Sequence, residues 1–344
     1  MKRTLTVLAI AFAAATWTFA QSGAVKKPSS PAKAYTPPRT PWGDPQLEGV
    51  YSNDDETGVP FERPAQFDGR RIEDITADEL VTINQQRNEQ FRRGTLDAGA
   101  EFAGGIRPPT DLIFDTFNRK NSTAWLVVDP PDGRVPPLTE EARTRVRKPI
   151  SLKGRGVSSN ANAIGPFYSY EDLGLYDRCI TRGIPSSMMP AGYGSYYELI
   201  QGKDFVALRY EMIHEHRVVP IDRGARRPHI ADTLQLDLGD ARGWYEGNDL
   251  VIETTNFTER SAYRGATEHL KMTERFTPIA PGVVDWKVTF DDPHTWTRPW
   301  TFAMILKQKT QGEKVYEYAC HEGNYGLKNI LTGARADDAK TPTR

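Results

Sequence analysis

The stretch that decides the fold is residues 270–308, LKMTERFTPIAPGVVDWKVTFDDPHTWTRPWTFAMILKQ. It predicts strands at 270–278, 283–290 and 300–308, the first two joined across Ala280-Pro281-Gly282. Working backward from it, the spacing predicts strands at 196–200, 205–213, 216–221, 243–246 and 249–256, and working forward another at 314–319. Gln201-Gly202-Lys203-Asp204, Glu246-Gly247-Asn248-Asp249 and Gln311-Gly312-Glu313 punctuate them with turn chemistry. Many short strands joined by short turns argue for an antiparallel sheet curled into a barrel, with a β-sandwich as the alternative. Strands do not alternate with helices, which excludes a Rossmann-like fold.

Upstream, Leu47 to Tyr51 forms a further strand candidate. Residues 76–93 open with Thr76 and carry Glu79 three positions on, a capping-box pattern, and Leu80, Ile83 and Phe91 give an amphipathic helix ended by Gly94. Trp125 to Val128, then Asp129-Pro130-Pro131-Asp132-Gly133, then Arg134-Val135-Pro136 reads as a hairpin with Gly133 at a positive-φ position. Residues 1–20 have a basic start at Lys2 and Arg3, an apolar run and a small-residue end at Ala20, the pattern of a signal peptide. Residues 21–45 form a Pro-rich arm, 46–335 a single β-rich domain and 336–344 a flexible tail.

The 344 residues carry 44 Lys and Arg against 45 Asp and Glu, a net charge of −1. Without a basic excess, nucleic acid is a poor partner. A hydrophobic content of 38% is too low for a polytopic membrane protein, and no integral span is expected after leader cleavage. Cys179 and Cys320 are the two cysteines. In an exported chain they point first to one disulfide, with a metal site or a reactive thiol as alternatives.

Six histidines limit the acid–base chemistry. In residues 205–218, read as one strand, Leu208, Tyr210, Met212, His214, His216 and Val218 share an inward face. That places imidazoles inside the barrel as ligands, proton carriers or satisfied core groups. His-x-His spacing suits a divalent metal completed by His229 or His321, so His214, His229 and His321 are the metal candidates; no cofactor is the leading expectation. The second cluster is Cys320-His321-Glu322-Gly323-Asn324-Tyr325, where Glu322 would orient a nearby histidine. In the third, Trp296 and Trp300 with Arg298 form either a stacking platform for a ligand or a lid packed on one barrel end.

Several strings resemble a large family of exported bacterial proteins, frequent in acidobacteria and proteobacteria. They include Trp42-Gly43-Asp44-Pro45, Phe61-Glu62-Arg63-Pro64, Asp129-Pro130-Pro131-Asp132-Gly133-Arg134, Asp177-Arg178-Cys179 and Glu211-Met212-Ile213-His214. Thr254-Thr255-Asn256-Phe257, Glu274-Arg275-Phe276-Thr277 and Cys320-His321-Glu322-Gly323-Asn324-Tyr325 complete the set. The resemblance runs from about Trp42 to Arg335 and implies export, but no particular activity. Where the family's string is His-Asp-x-Arg, this chain has His214-Glu215-His216-Arg217, so His216 lies outside the pattern. The tryptophan of Arg242-Gly243-Trp244-Tyr245-Glu246-Gly247-Asn248 is displaced by one position, and Gly194 replaces an asparagine.

The expected architecture is a mainly β, lipocalin-like antiparallel barrel with one N-terminal helix and long loops. The leading expectation is an exported barrel binding a small molecule through a His/Glu/Arg pocket. A hydrolase or lyase with a histidine acid–base group, with or without metal, is the second, and a structural envelope protein the third. His214, His321, Glu322, Glu211 and Arg217 are the catalytic candidates. Tyr210, Met212, Asn324, Tyr325, Trp296 and Trp300 are the candidates for ligand contact.

Overall fold

The computed structural model describes residues 35–92, 119–147, 167–190, 194–261, 263–310 and 312–340. The expected leader and most of the expected Pro-rich arm therefore lie outside the described residues. The strands are β1 (Gly49–Ser52), β2 (Val127–Asp129), β3 (Tyr196–Gln201), β4 (Phe205–Tyr210), β5 (His216–Pro220), β6 (Asp240–Glu246), β7 (Asp249–Thr255), β8 (Lys271–Ala280), β9 (Val283–Asp291) and β10 (Trp300–Gln308). Among the described residues three α-helices accompany them: α1 (Ala77–Arg92), α2 (Glu140–Arg147) and α3 (Tyr325–Lys340).

Nine strands form a nearly closed barrel in the order β5-β4-β3-β1-β10-β9-β8-β7-β6. Every neighbouring pair along this path is antiparallel. Nine is odd, so alternation leaves β5 and β6 pointing the same way and the seam must be parallel. It is: Ile221 bridges Gly243 in parallel, and the Asp222 amide donates to Gly243 O at 2.7 Å. Closure removes most of the exposed strand edge that an open sheet would present. β1 joins the β3–β5 meander to the β6–β10 meander, and β2 takes the same edge of β10 nearer its start, at Phe302↔Val127.

Alternation along β7–β10 sends every second side chain inward, and the register stacks these in layers. One layer is Thr254, Met272, Phe290 and Trp300; the next is Ile252, Glu274, Val288 and Phe302; the third is Leu250, Phe276, Trp286 and Met304. All twelve are buried. Phe290 stacks on Trp300 at 4.4 Å, and Trp300 meets Trp296 edge-on at 5.4 Å. Such ring pairs add about 0.5–1.5 kcal/mol each beyond their buried area.

Three expectations need correction. Residues 314–319 form no strand. The segment after Gly133 does not pair back on residues 125–128; β2 pairs with β10 instead, and Gly133 O accepts from the Arg63 amide at 2.8 Å. Gly133 does take φ 67°, and a Cβ there would sit 2.6 Å from Trp125 Nε1 and 2.7 Å from Arg63 Cβ. Third, residues 336–340, expected in a flexible tail, continue α3, which buries none of its side chains. The helix was hidden by a Gly, Asn and Asp content that disfavours helix and by the lack of a buried apolar face.

α1 begins as expected: Thr76 Oγ1 accepts from the Glu79 amide at 3.2 Å. The Glu79 carboxylate, however, is taken by Arg70 Nη2 at 2.8 Å rather than closing the capping box. The helix docks with Ile83 and a buried Arg87, whose Nη1 donates to Asn121 Oδ1 and Thr123 O, both at 3.1 Å. Gly94, and the Phe91 side chain, lie outside what is described.

Candidate functional site

The interior site is created by a phase change that the sequence pattern conceals. β4 and β5 are not one strand. Between them Met212–His214 forms a single tight turn with Ile213 at φ 62° and His214 at φ 55°. These are left-handed positions that non-glycine residues seldom take. The turn closes a hairpin in which Tyr210 N donates to Glu215 O at 2.8 Å and Leu208 faces Arg217. Alternation restarts beyond it in the opposite phase. His214, His216 and Val218 therefore stand outside, while Arg217 and Val219 turn inward beside Tyr210. The inward face expected for His214 and His216 is corrected accordingly.

Arg217 on β5 and Glu274 on β8 belong to strands that do not pair, so they meet across the interior. Their relative exposures are 6% and 0%. Arg217 Nη2 donates to Glu274 Oε2, and Trp286 Nε1 donates to Glu274 Oε1 at 3.3 Å. Both carboxylate oxygens are thus occupied. The guanidinium is not: Nε and Nη1 are buried without a hydrogen-bond partner. The fully buried Tyr210 hydroxyl lies beside the guanidinium and likewise makes no well-formed bond. Burial disfavours the Arg217 charge, but Glu274 and Tyr210 outweigh it and its pKa is raised. Burial raises Tyr210 as well, partly opposed by Arg217. The result is a neutral ion pair packed in an aromatic interior, with the guanidinium and the Tyr210 hydroxyl joined only by a poorly aligned contact.

A second polar group lies by the β4–β5 turn. Thr181 Oγ1 donates to Glu215 Oε2 at 2.8 Å, and the buried Ser187 hydroxyl is close by. Burial pushes Glu215 up to about 7 against these hydrogen bonds. Glu211 is also raised, first by burial, and its Oε2 has no partner. The segment carrying Thr181 and Ser187 packs Ile184, Met188 and Met189 into the barrel core. Asn53 Nδ2 holds it through Met188 O at 2.6 Å, while Tyr197 donates to Asn53 Oδ1 at 2.6 Å.

The other candidates are dispersed. Cys179 and Cys320 form a disulfide with Cα atoms 5.8 Å apart. It ties the start of α3 to residues 176–179, where Asn324 Nδ2 donates to Asp177 O at 3.2 Å. His321, Glu322 and Tyr325 are nevertheless exposed. No hydrogen bond or ion pair joins His214 to His321 or Glu322 among the described residues. His229 sits elsewhere, with Nδ1 2.8 Å from Asp240 Oδ2 and Nε2 3.4 Å from Glu253 Oε1. Among the described residues no group of three or more His, Cys, Asp or Glu side chains is placed to hold a metal ion. His214, His229 and His321 are therefore not assembled as ligands. Met212 is buried at the turn, with Tyr176 Oη 3.5 Å from its sulfur. Trp296 and Trp300 are buried in the aromatic core and offer no open platform: Phe290 stacks on Trp300 and meets Trp296 edge-on, and Phe61 meets Trp300 edge-on.

Glu274, Trp286, Glu215, Thr181 and Ser187 were not among the sequence candidates. The signal for Glu274 is present in the pattern: it is the one charged residue at an inward position between Met272 and Phe276. No family model matches this chain, and no curated protein matches it. Among the described residues no helix is long and apolar enough to cross a membrane.

Proposed function

We propose that this chain is an exported small-molecule-binding β-barrel of lipocalin-like architecture, belonging to the bacterial family its sequence strings resemble. The observation that carries the reading is the unpartnered Nε and Nη1 of a 94%-buried Arg217 beside the unpartnered Tyr210 hydroxyl. Leaving buried donors unsatisfied costs about 1–3 kcal/mol each, more on a charged group, and a ligand acceptor recovers that cost on binding. Small-molecule sites typically combine an apolar wall with a few convergent polar groups, and Trp286 and Phe302 stand beside Glu274, the partner of Arg217. Export is supported by the signal-like pattern of residues 1–20 and by the Cys179–Cys320 bond. The test is titration of the mature protein with the uncharged dye Nile red. Saturable one-to-one binding that is lost in Leu208→Trp, with the fold checked by circular dichroism, is expected. Non-saturable or absent binding overturns the reading.

A hydrolase or lyase is the second reading, favoured by one observation: a carboxylic acid pushed up to about 7 beside interior donors. In this reading Glu215 transfers the proton, not a histidine, and Arg217 with Tyr210 stabilises developing negative charge. Glu215→Gln would then abolish turnover while leaving binding intact.

A further inference from the structure

We propose that Cys179–Cys320 is an exchange-active disulfide, which a dithiol reductant opens at the Cys320 sulfur to free α3 while the barrel stays closed. The inference goes beyond the ligand-binding reading and does not depend on it. Three observations lead to it.

The first is how little packing attaches the C-terminal segment. Among the described residues from 312 to 340, Val315 is the one buried residue. α3 buries none of its side chains. Backbone bonds at the head of the segment are local: Cys320 N donates to Tyr318 O at 2.8 Å, Asn324 N to His321 O at 3.3 Å and Tyr325 N to Gly323 O at 2.6 Å. Apolar burial ordinarily fixes a helix to its domain, because a lone helix of this length is marginal in water. Here the disulfide stands in for that burial, so opening it detaches the segment at little cost in packing.

The second is the asymmetry between the two cysteines. Cys179 is 7% exposed and belongs to a tight turn. Arg178 N donates to Gly174 O at 3.2 Å, Cys179 N to Tyr176 O at 3.0 Å and Ile180 N to Leu175 O at 2.9 Å. Leu173 and Leu175, both buried, anchor that turn. Cys320 is half-buried, at the head of the loosely packed segment. An incoming thiolate therefore attacks Cys320, and Cys179 is the leaving group.

The third is Asn324. Its Nδ2 donates to Asp177 O at 3.2 Å and lies 3.5 Å from Cys179 Sγ. Its Oδ1 accepts from the Leu327 amide at 3.3 Å and so caps α3. A donor beside the leaving sulfur stabilises the thiolate that forms there and speeds its departure. A carrier thiolate bonds to Cys320 Sγ, the S–S bond breaks, and its electron pair leaves on Cys179. The carrier's second thiolate then attacks the carrier sulfur bound to Cys320, releasing Cys320 and a cyclic disulfide. The carrier gives up two electrons, and its two thiol protons pass to the two cysteines.

The test uses the mature protein and dithiothreitol without denaturant, with free thiols counted by alkylation and intact mass. Reduction within about tenfold of the rate in denaturant is expected. A bond opened only by global unfolding would be slower by more than about a thousandfold. The tryptophan bands of near-UV circular dichroism should be unchanged after reduction. By 15N relaxation, order parameters for residues 325–340 should fall below about 0.6 on reduction, while those of β7–β10 stay at about 0.85. Asn324→Ser keeps a cap oxygen on a shorter side chain and should slow reduction about three- to tenfold. Reduction that needs denaturant, or loss of the tryptophan bands on reduction, overturns the inference and makes the bond part of the scaffold. Equal mobility of α3 in both states overturns it too, because the bond then latches nothing. An unchanged rate in Asn324→Ser overturns the assignment of Cys179 as the leaving group.

Discussion

The two meanders of the barrel are built from the same period-two logic, yet they do different things with it. β7–β10 run inward side chains in unbroken layers, ring against ring, with the single charge at Glu274. Across the interior, β3–β5 bring Tyr210 and Arg217 inward on either side of a turn held in left-handed backbone. Both sides leave buried polar atoms unpaired, Thr254 Oγ1 and Trp300 Nε1 on the first and Arg217 Nε and Nη1 on the second, but only the second does so on a charged group. An aromatic wall facing a wall that carries a left-handed turn and a buried charge is the division expected when one part of a fold supplies stability and another supplies recognition.

That contrast can be broken in order of expected effect. Phe290→Ala removes a ring that stacks on Trp300 and Tyr263 and should cost about 3–5 kcal/mol of unfolding free energy by denaturant titration. A loss below about 1 kcal/mol would mean that the aromatic layers are not the scaffold. Arg217→Met leaves Glu274 buried without its partner and should cost a similar 3–5 kcal/mol, while the double variant Arg217→Met with Glu274→Leu should recover most of it. Failure of the double variant to recover would show that the pair is needed for the fold rather than tolerated for the site.

Glu215 sharpens the comparison through pH. Its folded pKa of about 7 lies above its ordinary 4.5, so the folded state favours the protonated acid. The stability this confers is fully present below pH 4.5 and is lost as pH rises through about 7. Over that window the native protein should lose on the order of 3 kcal/mol relative to Glu215→Gln, which keeps the protonated acid's shape but cannot ionise. Parallel stability curves for the two proteins would show that Glu215 is hydrated in the folded state. Smallest of all, His214→Ala and His321→Ala should change stability by less than about 0.5 kcal/mol, since both side chains are exposed. A larger loss at His321 would return functional or structural weight to the Cys320–Tyr325 cluster.

The β6–β10 strands were legible because each combines alternation with a turn residue of known chemistry, as at Pro281-Gly282, where Gly282 takes φ 67°. The β4–β5 turn was not, because Ile213 and His214 carry no signal for positive φ. Reading through it put His214 and His216 inside and Arg217 outside, the reverse of their places. The helix at 325–340 was missed for a related reason: its composition is mixed, and none of its side chains is buried to impose a readable apolar face.

By itself the sequence determined the mainly β class, the register-setting turns, the α1 cap at Thr76 and the two cysteines available to pair. These follow from local backbone preference, side-chain period and count. Only the tertiary structure decided that an odd number of strands closes through a parallel seam, that Cys179 reaches Cys320, and that Arg217 meets Glu274 across the interior. Those outcomes depend on residues 22 to 141 positions apart being brought together. No local propensity specifies such distant pairing; it is set by how the whole sheet curls.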